Sequence, residues 1–207
     1  MSGSEQPSER FLDEEATARG KRPRPGERRQ QILQTLVAML EQPGAERVTT
    51  ASLAAKIGVS EAALYRHFAS KAQMFEGLID FVDQSVMGLI RQVTDREPAG
   101  PNQAARIVAL LLQFAEKNPG MCRIMVGDAL VLEHERLQER INLLFDKIEA
   151  QLRQSLKAQE SATPSADAQL VASLLVAFMQ GRLLRFARSG FKRLPSEHLQ
   201  AALARIL

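Results

Sequence analysis

The stretch that decides the fold is VTTASLAAKIGVSEAALYRHFASK, residues 48–71. Thr50 reads as the N-cap of a short helix through Ile57, because a threonine hydroxyl can satisfy an orphan backbone N–H there. Gly58 stands where a C′ residue must take the left-handed conformation. Ser60 caps a second helix, Glu61 to Phe68, and Ser70 with Gln73 makes a capping box for a third, from Lys71 to about Val93. Two short helices joined by Gly-Val-Ser have the form of a helix-turn-helix. Leu53, Ala54, Ile57, Val59, Leu64 and Phe68 would make its small core. Ser60, Glu61, Ala62, Tyr65, Arg66 and His67 would then face outward.

Working outward toward the N-terminus, Ile32, Leu33, Leu36, Val37 and Leu40 form one face of a helix over 27–41, which Pro43-Gly44 ends. The arm before it, TARGKRPRPGERRQ (17–30), holds six basic residues and one acid. Its prolines and glycines keep its first part from being helical. The formal net charge of the 207-residue chain is only +3, but it is unevenly spread. Residues 1–16 carry −4, residues 17–71 carry +6 and residues 72–207 carry +1. A plain helical hairpin would show the same apolar spacing. The basic arm and the polar outward face favour a surface that meets a polyanion.

Toward the C-terminus, DREPAGPN (95–102) reads as a loop, and Asn102 as the cap of a helix to about Lys117. Asn118-Pro119-Gly120 breaks that helix, and Pro119 can open the next. A long amphipathic helix is expected over 129–159, with Leu137, Ile141, Leu144, Ile148 and Leu152 in a stripe. A linker at 160–166 precedes a helix over 167–189, striped by Leu170, Leu174, Ala177, Gly181 and Leu184. Gly190 ends it, and Pro195-Ser196 precedes a last helix to the C-terminus. With no alternating strand runs, the fold class is all-α. We expect a disordered extension (1–25), a DNA-binding domain (26–71) and a helical dimerisation and partner-binding domain (72–207). One helix-turn-helix reads few base pairs, so a two-fold homodimer would double the site. Its expected interface is Leu137, Ile141, Leu144 and Ile148 with Leu170, Leu174, Ala177 and Gly181.

Composition removes other classes. One cysteine, Cys122, excludes an intrachain disulfide framework and fits a reducing compartment. With no Trp and only Tyr65 beside nine Phe, the chain lacks the rings of an RNA-stacking platform. The polar N-terminus has no signal-peptide core, and no run of 18 apolar residues suggests a membrane span. His67, His134 and His198 lie far apart, Glu133 and Glu135 flank His134 on different helix faces, and no phosphate-binding glycine motif occurs. We therefore expect a cytoplasmic, non-enzymatic protein without metal or cofactor.

Residues 48–71 closely resemble the DNA-binding signature of the TetR family of bacterial regulators. The match is densest over Leu64-Tyr65-Arg66-His67-Phe68-Ala69-Ser70-Lys71, and the later helices agree in number and order. More narrowly, the chain is similar to the nucleoid-occlusion branch of that family over about residues 26–194. The matching stretches are Arg47-Val48-Thr49-Thr50-Ala51, GVSEAALYRHF (58–68), Lys117-Asn118-Pro119-Gly120 and LQERINLLFDKIEAQLRQSL (137–156). The long N-terminal extension and early C-terminal end depart from it.

The resemblance implies a factor that binds palindromic duplex DNA near the nucleoid and blocks assembly of the tubulin-like division GTPase FtsZ. In the reading helix, Glu61 would accept from a cytosine amino group and Ala62 touch a thymine methyl. Tyr65 and His67 would hold phosphates, with Thr49 and Thr50 on another, Lys71 as a point charge, and Arg66 reading guanine or backbone. For the division partner, the resemblance points to a groove between the fourth and fifth helices, with Phe81, Leu110, Lys117 and Asn118. Lys117 stands where arginine is commoner, and Gln113 where relatives carry a smaller residue. The competing reading is a ligand-responsive repressor with a pocket near Met121, Met125 and Met179. Methionine more often fills core gaps, so no small-molecule ligand is expected.

Overall fold

The computed structural model describes residues 25–42, 47–131, 133–157 and 165–207. The expected N-terminal extension to residue 24, the Pro43-Gly44 stop and most of the 160–166 linker lie outside them. All the regular elements of the described residues are helical: α1 (Pro25–Leu40), α2 (Thr50–Ile57), α3 (Glu61–Tyr65), α4 (Lys71–Thr94), α5 (Pro101–Lys117), α6 (Pro119–Met125), α7 (Glu135–Lys157), α8 (Ser165–Arg188) and α9 (Leu199–Leu203).

Local chemistry sets the boundaries, and several differ from expectation. The α2 cap is Thr49, one residue earlier than expected, because Ser52 then completes a reciprocal capping box. Gly58, at φ 76°, ends α2 as a left-handed residue. The α3 helix stops at Tyr65, since the N–H groups of His67 and Phe68 both turn back to the Leu64 carbonyl. The cap of α5 is Gly100, with Pro101 in the first turn, so Asn102 is inside the helix and exposed. The expected helix from 129 begins only at Glu135, after a separate 3₁₀ turn at Asp128–Leu130. The last helix is five residues long, entered through His198 at φ 54°.

The architecture is a small head on a larger body. The α4 helix joins them by burying Met74, Phe75, Leu78, Ile79, Val82, Val86, Ile90 and Val93 along its length. Its opposite edge is tied to α7 by Glu76–Arg136 (2.7 Å), Asp80–Arg140 and Asp83–Lys147 (2.8 Å). The α6 helix closes directly on α1: a Cβ built on Gly120 would lie 2.6 Å from the Val37 carbonyl oxygen. Only glycine permits that approach.

The α7–α8 hairpin corrects the expected interface. Leu137, Ile141, Leu144 and Ile148 are 0–1% exposed, so the α7 stripe is this chain's own core. Apolar periodicity gives a buried face without saying what buries it. The α8 stripe behaves oppositely. Leu170 is 59% and Leu174 49% exposed, and Ala177 and Gly181 continue the same open line. An 18-residue stretch within Asp167–Arg188, apolar on both its core side and its outer side, has a mean hydropathy of 1.5, so by length and composition alone this helix could cross a membrane, as the core helix of a soluble protein could.

Candidate functional site

The residues singled out in the sequence fall on two regions, the head from α2 to the start of α4 and the α4–α5 pair. On the head, Phe68 is buried at 1% exposure, and the Arg29 guanidinium lies 4.0 Å from its ring centroid while donating to the His67 carbonyl at 3.0 Å. This fastens the end of the reading helix to α1. Ser60 Oγ accepts from the Ala63 N–H, so its hydroxyl serves as a cap. Thr49 likewise spends its hydroxyl on Ser52. Glu61, Ala62, Tyr65 and Arg66 are all exposed, Tyr65 at 46%. His67 is half-buried.

Two candidates are joined to each other. The Thr50 hydroxyl donates to Glu61 Oε2 at 2.6 Å, linking the starts of α2 and α3. Glu61 keeps its second carboxylate oxygen, and the Thr50 hydroxyl restrains its orientation. Lys71, expected to add a point charge at the mouth of α4, is held within the chain. Its ammonium lies 2.5 Å from Glu133 Oε1, with the side chain only 20% exposed, and 5.5 Å from the Phe75 ring. The partner is 62 residues away in sequence, so no local signal announced it.

The second surface lies where α4 and α5 pack together. Phe81 is 51% exposed on α4, a large ring left open to solvent. On α5, the spacing of Leu110, Gln113 and Lys117 puts them on one helical ridge. Leu110 is half-buried, while Gln113 and Lys117 are exposed. Asn118 Nδ2 donates to the Phe114 carbonyl at 2.7 Å, closing the end of α5. The four predicted groove residues thus split into one aromatic on α4, an apolar-to-cationic edge on α5 and a capping amide.

Sequence comparison places the chain. Residues 32–78 match the model of the bacterial regulatory proteins of the tetR family, and residues 102–205 match the tetracyclin repressor-like C-terminal domain of the SlmA-like type. The nucleoid occlusion factor SlmA of Idiomarina loihiensis is 49% identical over 84% of this chain and 90% of its own length. That of Vibrio cholerae is 51% identical over 82% and 88%. The chain belongs to the SlmA family of nucleoid occlusion factors. A TetR transcriptional regulator from Chloroflexus aurantiacus shares the fold, with a TM-score of 0.71 at 22% identity over 87% of this chain and 94% of that one. The tetR-family model spans most of the head and the start of α4, and the SlmA-like model the body from α5 onward.

Cys122 has no part in either surface. Its thiol is buried, 3.6 Å from the Leu183 carbonyl, and burial, then the Asp128 charge, push it up to about 12. A thiol so protected is structural. Among the described residues no cluster of His, Cys, Asp or Glu could hold a metal ion.

Proposed function

We propose that this SlmA-family chain binds palindromic chromosomal sites as a homodimer and, while bound, blocks FtsZ assembly through the α4–α5 surface. The protein thereby acts at the nucleoid, within the cytoplasm, as an adaptor without a catalytic step. The observation that carries the reading is an exposed α3 face together with an exposed Phe81 on α4 and an exposed Lys117 on the neighbouring α5, in a chain about half identical to named nucleoid occlusion factors. Glu61 and Ala62 face bases, Tyr65 and His67 face phosphates, and Thr50, whose hydroxyl is given to Glu61, offers its backbone N–H to another. Phe81 offers an apolar anchor and Lys117 a charge for a short acidic and apolar peptide. Lysine attracts a carboxylate as a point charge, without the bidentate geometry of arginine. The open line Leu170, Leu174, Ala177 and Gly181 on α8 supplies the two-fold contact.

A filled interior favours this over a ligand-responsive repressor. Met121, Met125 and Met179 are 7%, 2% and 1% exposed within the core. The cavity beside Met125 holds only about 140 Å³, below the roughly 300 Å³ at which ligand sites begin. The test is sedimentation of FtsZ polymers with the protein and a specific duplex. Phe81→Ala and Lys117→Glu should each keep DNA binding and lose the block. Unimpaired inhibition by both variants would overturn the groove assignment.

A further inference from the structure

Glu133 sits in the short connection between the 3₁₀ turn and α7, and its side chain is only 7% exposed. A carboxylate so buried must be compensated, and here two cations do it. Arg47 Nε lies 3.1 Å from Glu133 Oε1, and Lys71 Nζ lies 2.5 Å from the same oxygen. The positions of those cations matter. Arg47 immediately precedes the buried Val48 and the Thr49 cap, at the entry to the helix-turn-helix. Lys71 is the first residue of α4, at its exit. One oxygen of the body therefore holds both ends of the reading unit.

Apolar packing fills this joint only in part: α6 closes on α1 at Gly120 and α4 runs through both units, but a gap remains around Glu133. A cavity of about 180 Å³ opens there, lined by Leu40, Arg47, Lys71, Phe75, Arg123 and Glu133 among others. Across it, Arg123 pairs with Asp128 at 2.6 Å and reaches the Leu40 carbonyl at 3.4 Å. Where contact is incomplete, directional ion pairs rather than interdigitating side chains set the angle between two units.

We propose that Glu133 is a positioning residue for operator recognition: by clamping Arg47 and Lys71 it fixes the tilt of the reading unit on the body. The inference rests on the DNA-reading dimer proposed above. A dimer must present its two reading helices about one turn of duplex, roughly 34–36 Å, apart. A freely tilting head still binds one half-site but pays for alignment at two. The Glu133 clamp removes that alignment cost before DNA arrives.

The experiment uses the full chain and two duplexes: a palindrome that the wild-type protein selects from randomised DNA, and the same duplex with one half scrambled. Glu133→Gln keeps the shape and an acceptor oxygen while removing the charge. Palindrome affinity should fall about tenfold while half-site affinity stays within about twofold. The variant should also tolerate palindromes with a base pair inserted or removed between the halves. Arg47→Gln leaves the Lys71–Glu133 pair in place and should give a smaller loss of the same kind, which keeps the test informative if Glu133→Gln folds poorly. Equal losses on both duplexes, or wild-type behaviour by both variants, would overturn the clamp. A wild-type protein that selects no palindrome would instead overturn the DNA reading on which the inference stands.

Discussion

Glu61 and Tyr65 sit one helical turn apart on α3, and the proposed DNA contact assigns them to different parts of the duplex. The Thr50 hydroxyl already orients Glu61, at 2.6 Å, whereas Tyr65 projects without a partner of that kind. Glu61→Ala should chiefly relax sequence preference, by about 1–3 kcal/mol at one base pair. Tyr65→Ala should weaken specific and random duplexes alike and lessen the salt dependence. Titrations of both variants on both duplexes, at two salt concentrations, check the division. Thr50→Val should reproduce part of the Glu61→Ala phenotype, since it releases the carboxylate without removing it. At Cys122 the folded state raises the thiol from 9.0 to about 12. The folded state therefore prefers the protonated form, a preference fully effective below pH 9.0 and lost as pH rises from there toward 12. A thiol reagent at about pH 8 should leave the folded protein unmodified and react once denaturant opens it.

At the scale of elements, the two stripes of the α7–α8 hairpin make opposite predictions from the same spacing. Leu144 is 1% exposed and Leu174 49% exposed. Leu144→Glu should unfold the body, seen by circular dichroism. Leu174→Glu should leave a folded monomer in analytical ultracentrifugation, with palindrome affinity reduced and half-site affinity retained. A folded dimer from Leu174→Glu would remove α8 from the interface. The α1–α6 contact is equally specific: Gly120→Ala drives a methyl into the Val37 carbonyl, 2.6 Å away. Backbone must yield there, so the melting transition should show a loss of about 1–3 kcal/mol or more.

For the whole molecule, the helical fold and the head were legible because their signals are local. A glycine at φ 76°, a serine cap and a conformationally matched turn act within four residues of themselves. Cap positions shift from the sequence pattern where two candidates stand within a residue or two of each other. Thr49 beats Thr50 because Ser52 reciprocates, and Gly100 with Pro101 overrides Asn102. What stayed hidden depends on partners distant in sequence. Lys71 looked like a DNA contact because charge and position suited it, and only the folded chain brings Glu133 to it across 62 residues. Which α7 face is core and which α8 face is open likewise follows from how the helices stack, not from their period.

The open line on α8 also makes heat resistance a property of the solution as well as of the chain. In the proposed dimer, the face carrying Leu170 and Leu174, 59% and 49% exposed in the single chain, gains its burial from a second copy. Mass action then couples association to unfolding, so the midpoint of thermal denaturation should climb with protein concentration. Scans at successive tenfold dilutions should shift it downward, and Leu174→Glu should abolish the shift. A diluted sample would thus be intrinsically less durable than a concentrated one, with no change in any bond inside a single chain.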